Sequence, residues 1–333
     1  MKTAVIVQAR MTSSRLPGKS MMDLCGKPVI QHVLERCTKI GADVVVLAVP
    51  IGAESLPMAM VAQKLGCEWV YGDEHDVLSR YVKAAKHVNA DIIMRVTGDC
   101  PMIDPKVCGR VMGALGDSGY ISNVHPERTY PKGFDCEVFT MEALLDTDER
   151  TTHPLDREHV TLGMVKKWRK HGFTQPHDES HINYCIDTQE DLDRMRGVMS
   201  LRLESVYGRK GAEHFLYGML DERDMDHAIS HKELPTWEKH CGFVHSKPYL
   251  AWYLIENDGG VLGNIYLTAN REVGIFLYSG AQGQRIGTLA LEMLRMQHPG
   301  PLYANISPNN EGSMRFFGRH GFKHIQNTLK LEG

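Results

Sequence analysis

A chain of 333 residues, 42% apolar and 24% charged, is long enough for two globular domains with real cores. Its net charge of −3 excludes the global basic field that recruits nucleic acid. The N-terminal apolar run is too short for a secretory signal, and no apolar stretch nears the roughly 20 residues that span a bilayer, so a cytoplasmic protein without a membrane partner is expected.

The first half alternates strand and helix patterns. Residues 4–7 form a short apolar run, followed by a polar loop that contains Pro17 and Gly18. Ile30, Val33, Leu34 and Cys37 then recur at helical spacing. Residues 44–49 read VVVLAV, the mark of a strand covered on both faces. Val77, Leu78, Tyr81, Val82 and Ala85 make a second helical stripe, residues 92–96 the next strand, and residues 183–186 a further short one. Such alternation predicts an open, largely parallel α/β sheet, with ligands beyond the carboxyl ends of its strands.

Past about residue 205 the rhythm changes. Strands at 252–255, 262–267 and 273–278 follow closely, with Asn257-Asp258-Gly259-Gly260 as a turn between the first two. Ile286, Leu289, Ala290, Met293 and Leu294 predict an amphipathic helix, and a strand at 302–306 and a helix at 310–320 close the chain. This is a second, α+β domain, with a division at 1–205 and 206–333. The eight cysteines are scattered without a CxxC pair and read as reduced, mostly buried thiols. The seventeen histidines are dispersed, so no zinc site is expected.

The loop after the first strand carries most of the chemistry. Within Gln8-Ala9-Arg10-Met11-Thr12-Ser13-Ser14-Arg15-Leu16-Pro17-Gly18-Lys19 stand three cations, small hydroxyl residues and a glycine. A polyphosphate needs this set: cations to neutralise it and small residues that let backbone amides approach. The same composition also suits a solvated polar loop, and the Walker pattern GxxxxGK[ST] is absent. Asp99 follows the strand at 92–96 and Asp187 follows the segment 183–186. Two carboxylates at strand ends can hold Mg²⁺ against phosphates. Equally, Asp99 suits a turn before Pro101, and Thr188-Gln189-Glu190-Asp191 resembles a helix-capping box that leaves Asp187 unused. Cys100 reads as a buried thiol.

Seven segments, QARMTSSRLPGK (8–19), GKPVIQHVLER (26–36), YGDEHDVLSRY (71–81), RVTGDCPMID (95–104), FDCEVF (134–139), REHVT (157–161) and IDTQEDL (186–192), resemble in order the cytidylyltransferases that include the spore-coat polysaccharide proteins and the CMP-sugar-acid synthetases. The resemblance covers residues 2–200 and implies a Rossmann-like nucleotide-diphospho-sugar-transferase fold. It implies CTP as substrate, with Arg10, Arg15 and Lys19 on the triphosphate and Asp99 and Asp187 on Mg²⁺. Gln8, Ser13, Ser14 and Gly18 complete the nucleotide loop. Asp76 and Arg80, with Arg157-Glu158-His159, are expected near the nucleotide or acceptor. The transfer, a sugar hydroxyl attacking the α-phosphorus, needs positioning and charge neutralisation rather than a covalent nucleophile.

In the second half, Gln282-Gly283-Gln284-Arg285-Ile286-Gly287-Thr288 follows a strand and opens a helix. Free N–H groups and the positive helix end converge in such a turn and can seat a pyrophosphate, although any plain helix start shares these features. Residues 222–331 resemble the GNAT acetyltransferase superfamily through this turn and through NISPNNEGSMRFFGRHGF (305–322), and TWEKHCGF (236–243) is similar to the acetyltransferases of pseudaminic acid biosynthesis. The resemblance implies acetyl-CoA held by Gln282, Gly283, Arg285, Ile286, Gly287 and Thr288, with Asn305 and Asn310 from the closing motif. It departs twice: Arg285 occupies the first glycine position of the turn, and Phe317 stands where a tyrosine acid is frequent. Glu272 is the candidate base, with an exposed strand-end charge as its alternative. His231 and His240 are further candidates, and Phe316 and Phe317 are expected in the helix-face core.

Together these readings predict a bifunctional enzyme of bacterial surface-glycan biosynthesis. One half makes the CMP conjugate of a nonulosonic-type sugar acid, and the other acetylates an amino sugar. Two alternatives remain open: a sugar phosphate, phosphonate or other acid as acceptor, and a non-catalytic GNAT domain used for binding or oligomerisation. A homodimer is also left open.

Overall fold

The computed structural model describes residues 1–169, 171–222 and 233–326. The chain divides into two compact units, Met1–Arg196 and Gly197–Gly333. No helix among the described residues is long and apolar enough to cross a membrane.

The first unit runs β1 (Thr3–Gln8), β2 (Asp23–Leu24), β3 (Lys27–Pro28), α1 (Val29–Cys37), β4 (Val44–Pro50), α2 (Leu56–Lys64), β5 (Glu68–Gly72), α3 (Val77–His87), β6 (Ile92–Thr97), α4 (Pro105–Gly113), β7 (Tyr120–Ser122), β8 (Glu137–Thr140), α5 (Met141–Arg150), α6 (Pro154–His159), α7 (Leu162–Trp168) and α8 (Gln189–Met199). Its six-stranded sheet has the order β5-β4-β1-β6-β8-β7. The first four strands are parallel, and β8 and β7 are antiparallel additions at one side. The expected α/β domain is thus present, with β1 central. The run at 44–49 is buried along nearly its whole length, as a strand covered on both faces must be. One face packs Ala4, Ile6, Val46 and Ala48 against Val77, Leu78, Tyr81, Ala84 and Ala85 of α3. Asp76 caps α3 by accepting the Ser79 amide at 2.9 Å.

The strand expected at 183–186 forms no ladder. It makes a single bridge, Lys132 to Asn183. Ile182, Tyr184 and Ile186 are buried on alternate positions, which gives a period of two without a neighbouring strand to pair with. The segment is fixed instead by backbone bonds to a loop, Lys132 N–H to Ile182 O at 2.9 Å and Tyr184 N–H to Lys132 O at 2.7 Å. The capping box at α8 is real: the Asp191 amide donates to Thr188 Oγ1 at 3.2 Å, and the Thr188 amide donates to the Asp191 carboxylate at 3.1 Å.

The second unit contains β9 (Arg202–Ser205), α9 (Ala212–Asp221), α10 (Trp237–His245), β10 (Ala251–Asn257), β11 (Gly260–Leu267), β12 (Val273–Leu277), α11 (Ile286–Gln297) and α12 (Glu311–Arg319). Its antiparallel sheet has the order β12-β11-β10-β9. Ile255, Ile265 and Val273 pack on Ile286, Ala290, Leu291 and Leu294 of α11 and Phe317 of α12, with Phe316 beside them. Trp252 and Leu254 of β10 cluster with Leu216 and Met219 of α9 and Val244 of α10. The strand expected at 302–306 is a single bridge, Tyr303 to Glu272. Val273 N–H donates to Tyr303 O at 2.8 Å, and past that bond β12 has no strand on its outer side among the described residues.

Candidate functional site

In the first unit the loop after β1 folds back on itself. Gly18 takes φ +75°, a left-handed conformation that glycine adopts without strain, and its amide donates to Met11 O at 2.8 Å. This brings Lys19 under the strand ends. The Lys19 ammonium donates to Asp99 at 2.8 Å, to Asp187 at 2.9 Å and to Ile186 O at 2.7 Å. Asp99 and Asp187, 88 positions apart in the chain, therefore converge on one cationic point. A main-chain bond joins the segments that carry them, Ile186 N–H to Asp99 O at 2.9 Å. Arg15 adds an ion pair to Asp187 at 2.9 Å but is 65% exposed, so it contributes little energy.

The electrostatics follow from this packing. Burial acts to lower the Lys19 pKa, yet the charges and hydrogen bonds of Asp99 and Asp187 raise it above the ordinary value. Burial acts to raise Asp99, yet Lys19 holds it below the usual carboxylate range. Gly98 fixes where Asp99 stands. Its amide donates to Gln8 O at 2.8 Å, and a Cβ there would come within 2.8 Å of Ala9 Cβ and 3.0 Å of Gln8 O. Cys100 is buried, 3.6 Å from Cys185 Sγ, and its thiol is pushed up by that neighbour and by burial.

The remaining first-unit residues singled out in the sequence fall around this centre. Arg10 meets Glu158 at 3.5 Å, so two of the matched segments, 8–19 and 157–161, face each other. Ser13 is half-buried and Ser14 exposed on the loop. Asp76, besides capping α3, accepts from Arg157 Nε at 2.8 Å, and Arg157 also binds Asp148 at 2.7 Å. Gln8 Oε1 accepts from Arg95 Nε at 3.1 Å. Sequence reasoning missed what lies behind it. Arg95 pairs with buried Glu137 at 2.5 Å, and Glu137 also accepts from the Tyr120 hydroxyl at 2.5 Å. Because a guanidinium only donates, the Gln8 amide must turn its oxygen to Arg95 and its NH₂ away from it.

In the second unit the turn before α11 has the conformation that its glycine pattern calls for. Gly283 takes φ +72° and Arg285 φ +60°, so the arginine holds a left-handed position that favours glycine. Gln282 Nε2 donates to Leu277 O at 3.1 Å, tying the turn to the end of β12. Ile286, Gly287 and Thr288 are buried in the first turn of α11. Asn310 caps α12 by accepting the Ser313 amide at 2.8 Å, and Asn305 is exposed. Glu272 stands at the entry of β12, its amide donating to Thr268 Oγ1 at 3.0 Å. His240 is buried, with Nε2 2.9 Å from Glu213 O and a pKa lowered by burial, the setting of a structural histidine. His231 lies outside the described residues.

A cationic loop after β1, with one carboxylate just past β6 and a second brought to the same lysine by the segment 183–186, places a polyphosphate-type site beyond the carboxyl ends of the parallel strands, as a nucleotidyltransferase requires. Residues 4–215 match the cytidylyltransferase family and residues 216–322 the GNAT acetyltransferase family. The chain belongs to the cytidylyltransferase family, enzymes whose nucleotide donor is CTP, and it carries a GNAT domain, the class whose acyl donor is acetyl-CoA. It is 35% identical over 257 residues to a 3-deoxy-manno-octulosonate cytidylyltransferase of Aliivibrio salmonicida, covering 60% of this chain and 100% of that protein. It is 31% identical over 164 residues to an uncharacterised protein of Methanocaldococcus jannaschii, covering 48% of this chain and 66% of that protein. A solved cytidylyltransferase of Leptospira borgpetersenii is 26% identical with a TM-score of 0.54, covering 74% of this chain and 95% of that one.

Proposed function

We propose that the first unit transfers CMP from CTP to a hydroxyl of a 2-keto-3-deoxy sugar acid, a class that includes the nonulosonic acids. The observation that carries this reading is the meeting of Asp99, Asp187 and Lys19 at one point. The A. salmonicida relative, named for a sugar-acid acceptor, supports the acceptor class. The sugar hydroxyl gives up its proton to solvent as its oxygen bonds to the α-phosphorus; the bond from that phosphorus to the β-phosphate oxygen breaks, and pyrophosphate leaves with the electron pair. Lys19, Arg15 and Arg10 neutralise the triphosphate, and the loop's backbone aligns it.

Mg²⁺ fits this donor set. Two carboxylate oxygens already face one cation, and Mg²⁺ is commonly held by one or two carboxylates together with substrate phosphates. Asp99 and Asp187 would hold it, and when bound it would polarise the phosphate and acidify the attacking hydroxyl. Asp99 and Asp187 would then release Lys19 and Arg15 to the phosphates.

The second unit would bind acetyl-CoA and acetylate an amino sugar of the same glycan route. Support comes from the turn 282–288 at the helix start and from the outer side of β12, where a pantetheine arm can bond as an added strand. Glu272 is the base assigned to this half. The test is a pyrophosphate-release screen of four nucleoside triphosphates against a panel of sugar acids, with and without Mg²⁺. CTP with a 2-keto-3-deoxy acid and Mg²⁺ is expected to be the productive set. Equal turnover of all four nucleotides, or none with any sugar acid, would refute the reading.

A further inference from the structure

Arg80 is a buried charge that the mechanism above leaves without a task. It lies on α3 and is 2% exposed, yet its Nε and Nη1 have no hydrogen-bond partner among the described residues. Its position is built rather than incidental. A Cβ added at Gly72 would stand 3.0 Å from Arg80 Cγ and 3.2 Å from its Cβ, so glycine at the end of β5 is what lets the arginine stem lie across the strand. Burial lowers the guanidinium's pKa; Tyr81 opposes this, Arg10 reinforces it, and Asp73 and Glu74 oppose it. The acidic side chains nearby are engaged elsewhere. Asp73 accepts the His75 and Asp76 amides at 2.8 Å each, Glu74 accepts the Thr12 hydroxyl, and Asp76 holds Arg157.

A guanidinium keeps its proton, so one buried with Nε and Nη1 unbonded, and offset only by carboxylates that bond elsewhere, destabilises the free protein. Such a cost persists where a ligand repays it. We propose that Arg80 and Arg10 together bind a phosphate of the nucleotide at the β5 side of the cleft. The proposal rests on the nucleotidyl-transfer reading and names the anion that completes it. A neutral base edge would leave the unbonded Arg80 guanidinium without a charge-matched acceptor, whereas phosphate oxygens supply both the charge and the acceptors.

The test compares full-length wild type with Arg80→Met, using inorganic tripolyphosphate and cytidine as probes in calorimetric titrations. Tripolyphosphate affinity is expected to fall about 10- to 100-fold, with cytidine binding unchanged. The ligand-free variant is expected to melt about 2–4 °C higher, because an unpaired buried charge is gone. Unchanged tripolyphosphate affinity overturns the proposal, as does a loss confined to cytidine, which would assign Arg80 to the base. A lower melting temperature would remove the argument from an uncompensated charge and leave the tripolyphosphate titration to decide. Should Arg80→Met fail to fold, the titration is made on Arg80→Lys. Lysine keeps the charge but loses the planar donor set, so weaker tripolyphosphate binding is again expected and unchanged binding is the contrary result. A wild type that binds neither CTP nor tripolyphosphate would instead sink the nucleotidyl-transfer reading itself.

Discussion

Lys19→Met removes one cation from between two carboxylates while keeping the length and apolar stem of the side chain. Three bonds go, those to Asp99, Asp187 and Ile186 O. The lysine side chain is 11% exposed and the two aspartates 27% and 26%. Breaking a fully buried pair costs about 3–5 kcal/mol; partial exposure of both carboxylates, and the Arg15 contact that remains on Asp187, reduce this to about 1–3 kcal/mol. The melting transition of the first unit should therefore fall by about 2–10 °C. The pH dependence has a definite sign. Asp99 is held below its usual pKa, so its contribution is present at neutral pH and is lost as the pH falls through that depressed value, below about pH 4. Lys19 is held above its usual pKa, so its contribution is lost only as the pH climbs past about 10. In the variant, burial acts on Asp99 without its main counterweight, so Asp99 protonates more readily and the deficit against wild type should narrow in acid. Magnesium chloride should raise the variant's melting temperature more than the wild type's, since Lys19 no longer competes with the ion for the two carboxylates. Scanning calorimetry between about pH 4 and about pH 8, with and without Mg²⁺, reads all of this. Equal melting of variant and wild type at neutral pH, or a deficit that does not change with pH, would refute the reasoning.

Gly98→Ala should destabilise the first unit by about 1–3 kcal/mol, because its Cβ meets backbone and a core methyl that cannot retreat. Pyrophosphate release at a temperature where the variant is folded should also fall about tenfold or more, since Asp99 is displaced. Full activity would show that the contact is relieved without moving Asp99. Arg285→Gly should stabilise the second unit by about 1–2 kcal/mol in chemical denaturation, as glycine holds φ +60° without strain; a loss would mean that contacts of the arginine outweigh that relief. Asn310→Ala should cost about 0.5–2 kcal/mol as a lost helix cap, and Asn310→Asp should restore it. Failure of the aspartate to restore stability would point to a role of the amide beyond capping.

What the sequence disclosed depends on how locally each feature is encoded. The parallel core is legible because β-branched runs such as 44–49 cannot be solvated on either face. The phosphate loop is legible because its chemistry lies within twelve consecutive residues. The pairing of Asp99 with Asp187 through Lys19 is not, because it is a tertiary contact between residues 80 and 168 positions apart from the lysine. Arg95 and Glu137 sit on strands with no local sign that each is the other's partner. Strand β9 escaped for the opposite reason: Arg202-Leu203-Glu204-Ser205 is a largely polar edge without the alternation that flags a strand. The segments at 183–186 and 302–306 have strand composition but meet their neighbours at a single bridge each, and no local pattern reports how far a pairing extends.

The bond between Ile186 N–H and Asp99 O also sets a schedule for the growing chain. The central strands and their helices are complete well before residue 187 leaves the ribosome, and they can pack as they emerge. Lys19 then waits, already synthesised, with one of its carboxylates still unmade. The centre of the first unit is complete only when the stretch from 99 to 186, which carries α4 to α7 and strands β7 and β8, has brought its two ends together main chain to main chain. A chain that stops short of Asp187 would keep Lys19 and Asp99 but lack both the second carboxylate and the main-chain bond that positions it.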